Sequence, residues 1–473
     1  MNSKRDDYSN LSRENLIEKV QTLERHVKQL QNVLSRGKSE ERAKKRKEAR
    51  PFDFTKYNTR HVALKFLYLG WDYQGFAVQE DTEKTIEHEL FDALNKTKLI
   101  ESRETSNYHR CGRTDKGVSA FSQVISLDLR TNLLSGVGVK AREGGMAPER
   151  PGDKSKEINY IHILNKVLPK EIRIVAWAPV NPEFSARFSC TKRQYKYIFP
   201  RGDMNIEAMH IAAQKLVGEH DFRNFCKMDI SNGVVMYTRR ILAVSIDYIT
   251  DGHDGYQLCE LTIEGNAFLW HQIRCIVTIL FLVGQGKEMP QIIDELFDIT
   301  VHPRKPQYTM ASELPLILFD CEYEDIKWIY DQENMKSTLV NMQRLWTAET
   351  TKATITKRML DKLESTQVAT ADDGTSCVAV QSQAECIIPG NKTRIYKPLL
   401  ERQTCDSLEE RLDALAKRRK IQSSFPIEEK EEKVESPKTA GNVTLLKKDD
   451  DAFMLTAPGN SLISVSVDSL EDS

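Results

Sequence analysis

Apolar residues recur along this chain in more than one rhythm. Leu16, Val20, Leu23, Val27, Leu30 and Leu34 alternate steps of four and three, the seam of a coiled coil of roughly three heptads. The same spacing suits a single amphipathic helix docked on its own protein. From residue 60 the pattern becomes mixed. Residues 61–69 place Val62, Leu64, Phe66 and Tyr68 on one face, which predicts a strand. Residues 85–98 place Ile86, Leu90 and Leu94 four apart, which predicts a helix. In residues 124–130, Ile125, Leu127 and Leu129 alternate with Ser126, Asp128 and Arg130, the pattern of a half-buried strand. Further strands are expected at 194–199, 241–249 and 257–263, and helices at 206–217, 267–283 and 290–297. Gly284 and Gly286 end the long helix, and Pro290 suits the first turn of the next. Strands and helices mix in both regions, so the class is α+β or α/β.

These patterns divide the chain. Residues 1–50 form the heptad helix and a basic linker, with Lys44-Lys45-Arg46-Lys47 at the linker's centre. Residues 51–157 and 158–330 form two globular regions. The first ends in a surface insertion at 131–157, rich in Gly, Arg, Lys and Glu. Residues 331–420 form an extension with a helix expected at 332–361, a loop at 369–391 and a second basic cluster, Lys417-Arg418-Arg419-Lys420. Each basic cluster suits a nuclear import signal, an RNA-contacting arm or a solvated linker. Residues 421–473 are acidic with few aromatics, which predicts a disordered tail.

At 473 residues the chain exceeds one simple core, and 40% apolar content supplies enough material for a sizeable one. The formal net charge of −1 conceals a split. The tail from Ile421 carries a net −6, leaving the body at about +5, a mild positive charge compatible with an RNA partner. The nine cysteines include no C-x-x-C pair, which reads as a reduced intracellular chain without a Cys-rich zinc site; no metal is expected. The polar N-terminus shows no secretory signal. The longest apolar stretch, 267–283, contains His271, Gln272 and Arg274, so it reads as a buried helix and not a membrane span.

The most informative stretch is Cys111-Gly112-Arg113-Thr114-Asp115-Lys116-Gly117-Val118-Ser119-Ala120. Taken locally, Asp115-Lys116-Gly117 is a tight turn with a capping Asp. With Arg113 and Lys116 beside it, the same Asp is a carboxylate that stays ionised when water is excluded, fit to act as nucleophile or base. Arg274, set in an apolar helix, must find an anion or a carbonyl. Tyr195, Tyr197 and Phe199 share a strand face, with Arg193 and Lys196 interleaved. That combination suits either core packing or base stacking beside phosphate-binding cations. His220 and Asp221 lie in a polar loop and are expected to make structural hydrogen bonds.

Gly112 to Ala120 resembles the signature of the TruA-type pseudouridine synthases, in which the Asp of G-R-T-D-x-G-V is catalytic. Tyr68 to Gln79, Phe184 to Phe188, Arg193 to Tyr197, Gly218 to Phe225 and Phe268 to Val277 match the family in order, across about residues 60–325. Leu69 departs from the family's usual Asp. Ser106 to Arg130, Phe52-Asp53-Phe54, Lys227-Met228-Asp229, the run from Trp328 to Gln332 and Tyr396-Lys397-Pro398-Leu399 resemble the eukaryotic branch that modifies tRNA positions 38 and 39. Ala311-Ser312-Glu313-Leu314-Pro315-Leu316 departs from the bacterial-like Ala-Pro-x-Gly-Leu, a change expected to touch packing more than chemistry.

The resemblance implies two similar sheet-and-helix halves flanking a basic catalytic cleft. It implies Asp115 as nucleophile, Tyr195 stacked on the target uracil and assisting proton removal, Arg274 paired with Asp115, and Arg113 holding the flipped nucleotide. It further implies tRNA as partner, a homodimer, and an isomerisation that needs no cofactor. With the basic clusters, residence in the nucleus and also the cytoplasm is expected. The rival readings are the same chemistry at another tRNA position, a catalytically silent RNA-binding protein of this fold, and a coiled-coil adaptor.

Overall fold

The computed structural model describes Glu24 and residues 52–141, 155–230, 233–250, 255–368 and 395–423. The chain divides into two compact units, Met1–Thr55 and Lys56–Ser473. In the first, Glu24 is helical and exposed, and Phe52 meets Phe54 edge to face. The rest of the heptad seam, the Lys44–Lys47 run, and residues 142–154, 369–394 and 424–473 lie outside the described residues.

The second unit is built on one mixed sheet of eleven strands. In chain order they are β1 (Asn58–Tyr68), β2 (His109–Arg110), β3 (Ser119–Thr131), β4 (Val139–Lys140), β5 (Ile172–Pro179), β6 (Cys190–Pro200), β7 (Gly218–Asp221), β8 (Thr238–Tyr248), β9 (Leu258–Gly265), β10 (Leu316–Tyr323) and β11 (Ile329–Tyr330). The order across the sheet is β11-β5-β1-β3-β10-β6-β9-β8-β7, with β2 on β3 and β4 on β1. Among the described strands the pairing of β3 with β10 is the one parallel contact, through Ser119 with Ile317 and Ala120 with Leu318. It joins the half of the sheet built on β11, β5, β1 and β3 to the half built on β10, β6, β9, β8 and β7; residues 158–179 belong to the first half, so the two halves do not divide at 157/158 as the sequence pattern suggested.

Helices α1 (Ile86–Lys96), α2 (Tyr160–Asn165), α3 (Ile206–Gln214), α4 (Gln272–Gly284) and α5 (Ile292–Phe297) complete two apolar cores. One core gathers β1, β3, β5, α1 and α2; the other gathers β6, β8, β9, α3, α4 and α5. The class is α+β, and β9 shows the simplest cause: every second residue, Cys259, Leu261, Ile263 and Gly265, is buried. Beyond the sheet run α6 (Gln332–Val368), seven residues longer than its sequence pattern suggests, and α7 (Leu408–Ser423). Lys417 lies in α7. No described helix is long and apolar enough to cross a membrane.

Two expectations are corrected. The strand through 124–130 is not half-buried: Ser126 is fully buried along with Ile125 and Leu127. Its polar face is covered by the segment carrying Ser185 and Ala186, where the Ala186 amide donates to Ser126 Oγ at 3.1 Å. Asp128 is matched by Lys140 Nζ at 2.7 Å and by His61 Nδ1 at 2.5 Å. The long apolar helix begins at Gln272 and not at residue 267. His271 takes φ +62° and ψ 11°, a left-handed conformation that a right-handed helix cannot contain.

Candidate active site

The loop of Asp115 sits where β3 leaves the seam with β10. Its turn is closed by the Val118 amide donating to the Asp115 carbonyl at 3.2 Å. Gly117 has φ +77°, and a Cβ there would meet Glu313 Cγ at 2.8 Å. Glycine is therefore required twice over, for conformation and for space. The aromatic turn after β1 braces the loop from below. The Gly117 amide donates to the Tyr73 carbonyl at 3.1 Å, and the Phe76 amide to the Thr114 carbonyl at 3.1 Å. Tyr68 and Thr114 share a hydroxyl hydrogen bond of 2.7 Å, and Gln123 Nε2 donates to the Gly112 carbonyl at 3.0 Å. At Gly70, a Cβ would lie 2.0 Å from the Val118 carbonyl oxygen. The motif from Tyr68 to Gln79 and the Asp115 motif are thus one structure.

The Asp115 side chain is 23% exposed. Its Oδ2 lies 3.4 Å from His271 Nε2 and 4.0 Å from Arg274 Nη1. Arg274 is committed more closely elsewhere: Nε donates to the Ala311 carbonyl at 2.7 Å, and Nη2 to Glu313 Oε2 at 2.8 Å. Burial raises the Asp115 carboxyl above the ordinary range, and the Glu313 charge adds to the rise. The Arg274 and Lys227 cations and a hydrogen bond from the Trp270 side chain oppose it. The carboxylate is accordingly more basic than a solvated one, which suits a nucleophile or a base.

His271 completes this wall. Burial, reinforced by Arg274, Lys227 and Lys305, lowers its imidazole to about 4, so the ring is neutral near pH 7. Its Nδ1 is buried without a hydrogen-bond partner, and its Nε2 faces the Asp115 carboxylate at 3.4 Å. Trp270 lies against the His271 ring at 4.6 Å, and Lys227 Nζ sits 4.2 Å above the Trp270 ring. Trp270 is 41% exposed, so this edge combines a reachable aromatic surface with a cation.

The other expected residues fall as follows. Tyr195 is half-buried on β6, packs against both cores and meets Phe268 edge to face at 5.2 Å. Tyr197 and Phe199, on the same strand face, are wholly core. Arg113 and Lys116 are exposed; the cations that chiefly act on Asp115 are Arg274 and Lys227. Arg193 is buried and donates to the carbonyls of Cys111 at 3.0 Å and Arg187 at 2.9 Å. Lys196 pairs with Glu260 at 2.6 Å. Neither cation is placed for a phosphate as the interleaved pattern suggested. His220 and Asp221 lie on β7, paired with β8, and not in a loop; His220 stacks on Phe297 and Asp221 pairs with Arg223, both structural as expected. The segment 311–316 acts on the charge balance and not on packing alone, because Glu313 holds Arg274. His271, Trp270, Lys227 and Glu313 are the residues sequence reasoning missed, although each lies in or beside a segment already singled out.

A partly buried, oriented carboxylate at the seam of a mixed sheet, with a neutral imidazole and a shared guanidinium on one side, defines a carboxylate-centred catalytic site. A family model described as tRNA pseudouridine synthase matches residues 212–324. The chain is 46% identical to the tRNA pseudouridine(38/39) synthase of Homo sapiens, over 89% of this chain and 91% of that one. It is 44% identical to the tRNA pseudouridine(38/39) synthase of Saccharomyces cerevisiae, over 69% of this chain and 74% of that one. It is 31% identical to the tRNA pseudouridine synthase A of Methanosarcina acetivorans, over 58% of this chain and 89% of that one. The chain belongs to the tRNA pseudouridine synthase family.

The charge balance predicts a pH effect. Glu313→Gln removes a like charge facing Asp115 and releases Arg274 toward it, so both consequences lower the Asp115 pKa. The acid limb of the single-turnover isomerisation rate is expected to move to lower pH, and Arg274→Met is expected to move it the other way. A pH–rate profile for each variant checks the signs; an unmoved limb in both would remove Asp115 from the rate.

Proposed function

We propose that this chain isomerises uridine to pseudouridine at positions 38 and 39 of the tRNA anticodon stem-loop, with Asp115 as the nucleophile. The observation that carries the reading is the partly buried Asp115 carboxylate, 4.0 Å from Arg274 and raised above its ordinary range, in a chain 46% identical to a synthase named for those positions. In the reaction the bond from the ribose to N1 of uracil breaks and a bond to C5 forms. The proton on C5 leaves and N1 gains one, so nothing is oxidised and no group is transferred. The target base must first leave its stack, at a cost of a few kcal/mol. Stacking on Tyr195 offsets about 1–3 kcal/mol of it, and the same side chain assists removal of the C5 proton. Arg274 keeps Asp115 charged, and Arg113, exposed beside it, holds the displaced nucleotide. The two sheet-and-helix halves flank the cleft, and its cationic wall attracts the phosphate backbone.

The same reading takes residues 1–50 as a coiled coil that pairs two copies of the chain, and the acidic tail as disordered. It takes the basic clusters at 44–47 and 417–420 as directing the protein to the nucleus, with part remaining in the cytoplasm.

Pseudouridine mapping of tRNA from cells lacking the protein tests the central claim. Loss at positions 38 and 39, restored by wild type and not by Asp115→Ala, is expected. Rescue by Asp115→Ala would overturn the catalytic assignment, and loss at other uridines would move the target. Removing residues 1–50 is expected to convert a dimer into a monomer by mass measurement, and a persisting dimer excludes the seam as its basis. Neutralising both basic clusters is expected to deplete the nuclear pool seen by microscopy, and an unaltered distribution rejects that role.

A further inference from the structure

Cys111, Cys190 and Cys321 are far apart in sequence and arrive from three different places in the sheet. Cys111 follows β2, where its amide donates to the Val124 carbonyl at 2.9 Å. Cys190 opens β6, and Cys321 lies on β10 opposite Arg193. Their exposures are 3%, 8% and 2%. The three sulfurs lie within 4.8 Å of one another, and Cys111 Sγ is 3.4 Å from Cys321 Sγ. Metal–thiolate bonds of about 2.3 Å put sulfurs about 3.8–4.0 Å apart around one tetrahedral or trigonal ion, which is the spacing these sulfurs need only adjust slightly to adopt. Among the described residues no fourth His, Cys, Asp or Glu joins the group. Buried cysteines usually serve as small hydrophobes singly, and a three-way convergence is not what packing alone requires.

We propose that these three cysteines bind one thiophilic d10 cation, Zn²⁺ or Cu⁺, beneath the root of the Asp115 loop. Binding converts three thiols to thiolates and releases three protons. Arg193 is the nearby counter-charge: its guanidinium lies within electrostatic reach of all three thiols and is anchored on the Cys111 carbonyl at 3.0 Å. Three thiolates, one divalent ion and one guanidinium sum to zero, so charge balance favours Zn²⁺. The lack of a fourth protein ligand suits the trigonal coordination that Cu⁺ accepts. Either ion would tie the residue immediately before Gly112 to β6 and β10. The strand carrying Tyr195 and the loop carrying Asp115 would then share one anchor.

The test is the metal content of the full chain, purified under reducing conditions without chelators from medium supplied with both metals. About one equivalent of zinc or of copper per chain is expected, and which one is found assigns the ion. X-ray absorption at that metal's edge in wild type is expected to show three sulfur neighbours, with no substitution needed. Cys190→Ser is expected to lose the metal, whereas Cys259→Ser, at a buried cysteine in the other core, retains it. Asp115→Ala also retains it, so the result stands apart from the catalytic assignment. Wild type without stoichiometric metal, a first shell of nitrogen and oxygen alone, or a native Cys111–Cys321 disulfide would each overturn the proposal.

Discussion

The parallel pairing of β3 with β10 spans two residue pairs, Ser119 with Ile317 and Ala120 with Leu318, yet the geometry of the site depends on it. A parallel contact cannot be closed by a hairpin, so β10 must return from the far end of the second region to lie beside β3. That return brings Glu313, three residues before β10, against the Asp115 turn. It also puts β6, and with it Tyr195, next to β10. Without this pairing the carboxylate would lie at a sheet edge open to water, and the segments that tune it would belong to other parts of the molecule.

Asp115 is held in a near balance of opposing terms. Taking a carboxylate out of water costs several kcal/mol. A single cation about 4 Å away returns about 4 kcal/mol at an effective dielectric near 20. Arg274 at 4.0 Å is that cation, and it is shared with Glu313 at 2.8 Å. The neutral His271 closes the site beside it without adding charge. A fully paired Asp115 would be a poor nucleophile, because its negative charge would be spent on its partner. An unpaired one would take up a proton. Sharing Arg274 between two carboxylates keeps Asp115 between these limits, and it explains why a segment that looked like a packing variation carries chemistry.

β9 alternates cleanly and α1 shows its four-residue steps, so both follow from local periodicity; β1 and β8 were also anticipated, although β1 is buried on both faces and β8 bulges between Ile241 and Ala243. Asp115 and Arg274 were legible too, one in a turn with too many charges for a plain turn, the other a cation in an apolar helix. β5 and β10 were not assigned, because residues such as Ile174 to Ala178 and Leu316 to Leu318 form short apolar runs that do not distinguish strand from helix. The burial of Ser126 depended on a segment sixty residues away covering it, and Asp128 is matched by His61 and Lys140 from other strands. Arg193 looked like an RNA-facing cation because a strand's alternation does not reveal which face another region will cover. His271 was visible as a residue but not as the left-handed residue that precedes α4.

The cysteines carry this argument furthest. Reading metal sites from sequence relies on ligands close enough to share a turn, as in C-x-x-C, and the spacings of 79 and 131 residues between Cys111, Cys190 and Cys321 offer no such cue. The strands around the β3–β10 seam supply the proximity instead. β2 lies on β3 and β10 lies between β3 and β6, so the residue after β2, the first residue of β6 and one residue of β10 bring their thiols to the same buried volume. The constraint that assembles the carboxylate site therefore assembles the thiol cluster at its root. A bound ion there would stiffen the seam at Cys111, while the aromatic turn after β1 braces the same loop through Tyr73 and Phe76.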